Sequence, residues 1–368
     1  MNKDNAANKI FKLFKPFAKR VSSDIIDRIN YYIIMRKYID NIKKLYKNNC
    51  IHTYKVVNNV KLLSVGKNII LDKKLGTGGF GIVYKAYFRF DNKRKLGKMF
   101  KMVVKICEMT AKNKKEIEVS IKLTALILKM VCPHFPISYG YLTCDKNDER
   151  NYIKISSAIS SSLTSSSINS SSSDNNLGFF SLKHKTQLYL IINEYADNAF
   201  PFMLYYIFKK YNLNAASSIL NNMIIQCLIS IIFFQKYTQM VHNDTHVYNF
   251  LVHYIKKGGY YHYNIYGKDY YLKNAGYLIV INDFGLVKSI NEKPLNNDFI
   301  KFILSLKKNV IKKYKQFISE DIIDFIENIA LNTHDLYKYL FNFMNKSFPN
   351  SLTKIKPSNI INKTPFVI

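Results

Sequence analysis

Hydrophobic and polar positions change period several times along the chain. Ile10, Phe11, Leu13, Phe14 and Phe17, then Val21, Ile25, Ile26, Ile29 and Ile33, recur at three and four residues among basic ones. That spacing predicts amphipathic helices, with Pro16 breaking the first and Ser22 or Ser23 capping the second. From Tyr54 to Phe90 the pattern turns strand-like, and Met102-Val103-Val104-Lys105-Ile106 is a short apolar strand with one lysine inside it. Residues 111–130 read as a helix, and twelve of the nineteen residues 156–174 are serine, which reads as a flexible surface insertion with little to bury. Gln187 to Ala196 reads as a buried strand running into a connector. Ser217 to Val241 is the longest apolar stretch, but Asn221, Asn222, Gln226 and Gln235 interrupt it. A helix buried in a large lobe therefore fits better than a membrane span. Residues 254–277 hold eight tyrosines between two strand-like runs, predicting an enlarged hairpin. Beyond 290 helices follow, one carrying Phe299, Phe302 and Leu306 and others starting near Ser319 and Thr333, before a polar, irregular strap after Phe348.

At 368 residues, just under half of them hydrophobic, the chain can bury a sizeable core and build two lobes. The net charge of +30 accompanies lysines spread along the whole chain. Solubility accounts for such a charge as well as attraction to polyanions, anionic membranes or acidic proteins does. Lys9 to Arg20 has the pattern of a piece that lies on an anionic membrane, although packing of the first fifty residues on the main domain is the stronger expectation. The polar, lysine-interrupted N-terminus does not read as a signal peptide. Five scattered cysteines without zinc spacing predict free thiols in a reducing, cytoplasmic compartment.

The chemistry gathers around His242-Asn243-Asp244-Thr245-His246-Val247-Tyr248-Asn249-Phe250-Leu251. Asp244 is placed to accept a hydroxyl proton, and Asn249 and Asp283 to ligate a phosphate-bound magnesium. Upstream, Leu75-Gly76-Thr77-Gly78-Gly79-Phe80-Gly81-Ile82-Val83-Tyr84 places Gly76, Gly78 and Gly81 in a G-x-G-x-x-G spacing, with Val83 two positions on. Glycines let backbone amides approach phosphate oxygens, and Phe80 is placed to cap the turn. The β-branched run after it favours a second strand, whereas a dinucleotide site would need a helix there. Lys105 is placed to reach phosphates and needs an anionic partner. Glu116 shares a helical stripe with Ser120, Leu123 and Ile127, and Glu118 competes with it. In Asp283-Phe284-Gly285, Gly285 is expected to supply the backbone freedom of the turn.

In this order the motifs resemble those of eukaryotic-type protein kinases over about residues 60–345. The resemblance implies an α+β, two-lobed fold: a small β-rich lobe with one long helix, and a larger, mostly helical lobe. The corresponding domains are a basic helical extension (1–53), the small lobe (54–198, with the serine-rich insertion 156–176), the large lobe (199–348, with the hairpin 254–277) and a strap (349–368). It implies ATP under Gly76, Gly78, Gly79, Phe80 and Gly81, flanked by Leu75 and Val83, with Lys105 on the α/β-phosphates and paired with Glu116. Glu194 and Ala196 would bind adenine through their backbones, with Asn193 as gatekeeper. Asp244 would be the base, and Asn249 and Asp283 would hold Mg2+, for which Mn2+ could substitute. His246 stands where the family usually has lysine, which is similar to haspin-like kinases and to small-molecule phosphotransferases. Asn243 replaces the usual arginine, no Ala-Pro-Glu follows Asp283, and Asp298 would be the helix acid that steadies the catalytic loop's backbone. His-Asn-Asp-Thr-His together with Cys132-Pro133-His134-Phe135-Pro136 is similar to serine/threonine kinases of large nucleocytoplasmic DNA viruses, which implies action in infected-cell cytoplasm or packaging in virions.

Three other readings compete with a serine/threonine kinase acting on protein substrates. They are a pseudokinase scaffold, a small-molecule phosphotransferase, and a basic module gripping single-stranded nucleic acid through the tyrosine-rich hairpin. Self-packing of those tyrosines is the simpler expectation, so nucleic acid is not required.

Overall fold

The computed structural model describes residues 25–47, 50–55, 61–78, 81–88, 100–145, 187–314, 336–362 and 364–368. The segment Lys9–Arg20, the caps at Ser22 and Ser23, the turn residues Gly79 and Phe80, the serine-rich insertion and the helix starts near Ser319 and Thr333 lie outside the described residues. The protein is of mixed α+β class, and the chain divides into two compact units.

The first unit comprises Met35–Asn113 and Tyr139–Tyr195. Helix α1 (Ile25–Tyr46) gives it its last three turns. Among the described residues its strands are β1 (Ile51–Lys55), β2 (Lys61–Val65), β3 (Ile69–Gly78), β4 (Gly81–Phe88), β5 (Phe100–Glu108), β6 (Ser138–Asp145) and β7 (Gln187–Glu194). They form one sheet in the order β1-β2-β3-β4-β5-β7-β6, with β1 to β5 and β7 joined by antiparallel ladders. Met35, Ile39 and Ile42, spaced four and three apart on α1, are buried against this unit, and Tyr38 meets Phe88 edge-on with ring centroids 4.4 Å apart. At Gly140 (φ +138°) a Cβ would stand 2.7 Å from an Arg36 guanidinium nitrogen, so the helix reaches the sheet only over a glycine.

The expectation of free thiols fails at two cysteines. Cys50, just ahead of β1, and Cys144, in β6, form a buried disulfide with Cα atoms 5.7 Å apart. These strands are the two ends of the sheet order, so the sheet curls until its edges meet. With the two cysteines 94 positions apart, nothing in the local sequence could announce the pair. Cys107, Cys132 and Cys227 are free and buried.

The second unit contains Lys114–Ser138 and Ala196–Ile368, together with the start of α1. Helix α2 (Ala111–Leu128), expected in a smaller lobe, falls largely here. Next come β8 (Asn198–Ala199), α3 (Phe200–Lys210), α4 (Leu213–Thr238) and β9 (Met240–Val241). Then follow β10 (Phe250–Tyr254), β11 (Tyr260–Ile265), β12 (Lys268–Lys273), β13 (Tyr277–Ile281) and β14 (Lys288–Ser289). Helix α5 (Asn296–Leu306) runs on through a π-helical turn at Lys307–Ile311. Helix α6 (Leu336–Ser347), β15 (Leu352–Thr353) and β16 (Phe366–Val367) complete the unit.

Helix α4 is long and apolar enough to cross a membrane by length and composition, yet it is the buried centre of this unit. Its polar residues show why. Asn222 donates to the Lys273 carbonyl at 2.8 Å. Gln226 donates to the Tyr277 carbonyl at 3.0 Å and accepts from the Ile279 N–H at 2.9 Å, satisfying the open edge of β13. Asn212 caps the helix by accepting from the Ala215 N–H.

The tyrosine-rich stretch is a hairpin, as its pattern predicts. β11 and β12 pair from Tyr260↔Lys273 to Ile265↔Lys268 across a two-residue turn, where Tyr266 and Gly267 both have positive φ. Tyr261, Tyr263, Tyr270 and Tyr271 are buried and belong to the core, whereas Tyr266 at the turn is exposed. The C-terminal strap is more regular than expected, because β15 and β16 cap the hairpin's two edges in the order β15-β12-β11-β16.

Candidate active site

Two loops of the second unit carry the acidic motifs. Residues 242–249 run from β9 to β10, and residues 282–287 run from β13 to β14. β10 pairs with β13 (Phe250↔Ile281), and β9 pairs with β14 (Val241↔Lys288). An antiparallel ladder therefore closes each end, and the loops have to face one another. Three hydrogen bonds bridge them. The Asn282 N–H donates to the Asn249 carbonyl at 2.8 Å, His242 Nε2 donates to the Asn282 carbonyl at 3.0 Å, and Asn243 Nδ2 donates to the Leu286 carbonyl at 3.3 Å.

Within this frame Asn249, in a single 3-10 turn, donates from Nδ2 to the Asp244 carbonyl at 2.8 Å and to Asp244 Oδ2 at 3.1 Å. Both bonds use the NH2 end of the amide, which directs Oδ1 away from Asp244. His246 Nε2 lies 3.6 Å from Asp244 Oδ2, and His246 Nδ1 is buried with no hydrogen-bond partner. Burial lowers the pKa of His242. The charges of Asp298, Asp283 and Asp244 oppose that shift, which places all three acids around one buried imidazole.

Asp298 is fully buried and accepts from the His242 N–H and the Asn243 N–H, each at 2.7 Å, and from Gln235 Nε2 at 2.9 Å. Its backbone carbonyl takes the Thr245 hydroxyl. Asp298 thus steadies the loop's backbone, the role that the family resemblance implies for it.

Other anchors have no counterpart in the sequence reading. Lys301, one turn further along α5, donates to the Asn243 carbonyl at 2.6 Å and to Asn243 Oδ1 at 2.7 Å. Asn243 has φ +63°, a conformation asparagine tolerates better than most residues, so it is held by its backbone geometry as well as its side chain. Its spacing of three from Asp298 was the one available signal for Lys301. Arg28 of α1 donates to the carbonyls of Pro133 and Phe135, and the His134 carbonyl accepts from the Ile281 N–H at 3.1 Å. The 132–136 motif is thereby a clamp on the strand that delivers Asp283.

The turn at 283–285 departs from expectation. Asp283, not Gly285, has the left-handed backbone (φ +65°), stabilised where its Oδ1 accepts from the Gly285 N–H at 3.4 Å. On α2, Glu116 is buried, as are Ser120, Leu123 and Ile127, whereas Glu118 is exposed. Burial therefore singles out Glu116 as the inward acid. Lys115 beside it donates to the Val287 carbonyl at 3.3 Å, just beyond the turn.

In the first unit the glycine segment is a hairpin, with Gly76↔Val83 and Gly78↔Gly81 paired on β3 and β4. Gly76 faces open space, and Leu75 is exposed. Gly81 has a different reason to be glycine: at φ +133°, a Cβ would run into the Ile106 carbonyl and stand 2.8 Å from Cys107 Cβ. Lys105 sits on β5 between Val83 of β4 and Ile191 of β7. Glu194 ends β7, buried and paired with Met102, and Ala196 opens the second unit. Asn193 Oδ1 is buried without a hydrogen-bond partner.

Among the described residues no group of three or more His, Cys, Asp or Glu side chains forms a metal cage. The donors at hand are the Asn249 amide oxygen and the Asp283 carboxylate. Two hard oxygen donors fit Mg2+, an ion that keeps its waters and takes its remaining ligands from phosphate, and they do not fit zinc. No family model matches the chain, and no curated protein matches it.

Proposed function

We propose that this chain is a protein kinase that transfers the γ-phosphoryl group of Mg-ATP to serine or threonine hydroxyls of proteins, on a two-lobed kinase-like fold. The observation that carries the reading is the pair of loops locked face to face by ladders at both ends, one presenting Asp244 and Asn249 and the other Asp283. Asp244 would accept the hydroxyl proton as that oxygen bonds to phosphorus and the bond to ADP breaks. Asn249 aligns the carboxylate through Nδ2, and its Oδ1 with Asp283 would hold Mg2+, which would neutralise charge on the phosphates. Gly76 and Gly78 would admit phosphate oxygens, Lys105 would bind them with Glu116 as its counter-ion, and the backbones of Glu194 and Ala196 would take adenine. His246 stands beside the base, its Nε2 3.6 Å from Asp244 Oδ2, where the kinase family usually has a lysine. Incubation of the purified chain with labelled ATP, Mg2+ and protein substrates, followed by identification of the labelled residue, tests the reading. Label on serine or threonine that disappears with Asp244→Asn supports it, and label retained by that variant overturns it.

A further inference from the structure

Helix α3 buries Met203, Leu204 and Ile207 and turns an unusual face outward. Phe202, Tyr205 and Tyr206, at i, i+3 and i+4, are each more than half exposed where a soluble helix normally carries charge. The strip does not end on the helix. Phe202 meets Tyr248 edge-on at 5.8 Å between centroids, Tyr248 is itself 43% exposed, and its ring lies 6.2 Å from that of His246. His246 in turn stands 3.6 Å from Asp244 Oδ2. A path of exposed rings thus leads from the middle of α3 to the carboxylate. Helix α3 itself contains no acid and ends in the exposed Lys209 and Lys210, and Lys210 lies over the Tyr211 ring at 5.3 Å; Asp197, just ahead of the helix, accepts from the Tyr254 N–H.

Resting on the kinase reading, we infer that this strip selects the acceptor: a protein segment with an aromatic or large aliphatic side chain beside the phosphorylated hydroxyl and acidic residues further along. The ring seats against Phe202 and Tyr248, and the acids reach Lys209 and Lys210. Single-stranded nucleic acid is the other polymer that likes rings and lysines, but it needs open ring faces in series. Here Phe202–Tyr248 and Tyr205–Tyr206 are edge-to-face pairs at 61° and 76°, a corrugated surface suited to a side chain inserted between rings.

The test measures binding by fluorescence anisotropy to the full chain carrying Asp244→Asn, so that turnover does not enter. The probes are an acidic serine peptide with a neighbouring phenylalanine, the same peptide with alanine in its place, a version with lysines for the acids, and a single-stranded oligonucleotide. The phenylalanine peptide should bind about tenfold more tightly than the alanine one. That preference should vanish in Phe202→Ala and in Tyr248→Ala and persist in Phe202→Tyr and Tyr248→Phe, with unchanged circular dichroism. Equal binding of the two peptides, a preference that survives both alanine variants, or tighter binding of the lysine peptide overturns the inference. So does an oligonucleotide that displaces the peptide and depends on the same rings. Failure of the kinase reading shows separately, as absence of Asp244-dependent transfer by the unsubstituted chain.

Discussion

Asn249 holds Asp244 twice, by its backbone carbonyl and by Oδ2, from the same amide nitrogen. The carboxylate's orientation therefore depends on a residue five positions on, itself fixed by the Asn282 N–H from the facing loop. On the proposed assignment of Asp244 as base and Asn249 as metal donor, Asn249→Ala should lower phosphate transfer at least about a hundredfold, because both roles would suffer. Raising the Mg2+ concentration should recover part of the loss but not all of it. Full recovery would mean that the amide serves the metal alone.

Asp298→Ala leaves two backbone N–H groups, the buried one of His242 and the half-buried one of Asn243, without their acceptor. At about 1–3 kcal/mol for each unsatisfied group, urea unfolding should show a loss of about 3 kcal/mol. Activity should fall with it, since both residues precede Asp244. Lys301→Met should act in the same direction and more weakly, through Asn243 alone.

The two glycines of the hairpin should separate packing from nucleotide use. Gly81→Ala meets backbone at Ile106 in a left-handed conformation and should cost about 1–3 kcal/mol before any clash is counted. Gly76→Ala meets nothing and should shift thermal unfolding negligibly while raising KM for ATP. Equal melting temperatures for the two variants would contradict this division.

Burial lowers the His134 pKa to about 4, with the Arg28 charge adding to the shift. Its Nδ1 donates to the Ile279 carbonyl at 2.8 Å, and Nε2 accepts from the Tyr263 hydroxyl at 2.6 Å. The unfolded chain binds this proton below about pH 6.5, whereas the folded chain does so only near pH 4. Stability is therefore full above pH 6.5 and falls as the pH drops toward 4, by up to about 3 kcal/mol. Denaturant titrations across that window should show a shallower decline for His134→Gln. Some slope should remain, because the pKa of His242 is lowered in the same direction.

Cys50→Ser should destabilise the chain by about 2–4 kcal/mol, through the lost constraint on a long loop and the freed sheet edges. Added reductant should lower the guanidinium midpoint of the unsubstituted chain and leave that of the variant in place.

How much of this was legible in the sequence depended on how local each cause is. The hairpin within 254–277, the buried helix within 217–241 and the pair of strands either side of the glycine segment follow from period and turn chemistry. Glu116 over Glu118 followed from helical spacing, and burial agrees. Gly81 was noticed for its spacing, but its need for glycine comes from β5, which is distant in sequence. The left-handed residue at 283–285 was misplaced because glycine is the usual bearer of positive φ, and here an aspartate's own carboxylate supports it. The hold of Lys301 on Asn243 and the Cys50–Cys144 bond join residues 58 and 94 positions apart, where no periodicity speaks.

The central claim is that Asp244 is the base of a phosphoryl transfer. Labelled-phosphate incorporation into a protein substrate, compared between the purified unsubstituted chain and Asp244→Asn with matched folding and ATP affinity, tests it most directly. A drop of about a thousandfold or more is predicted. Equal incorporation by the two proteins, or none by either, would contradict it.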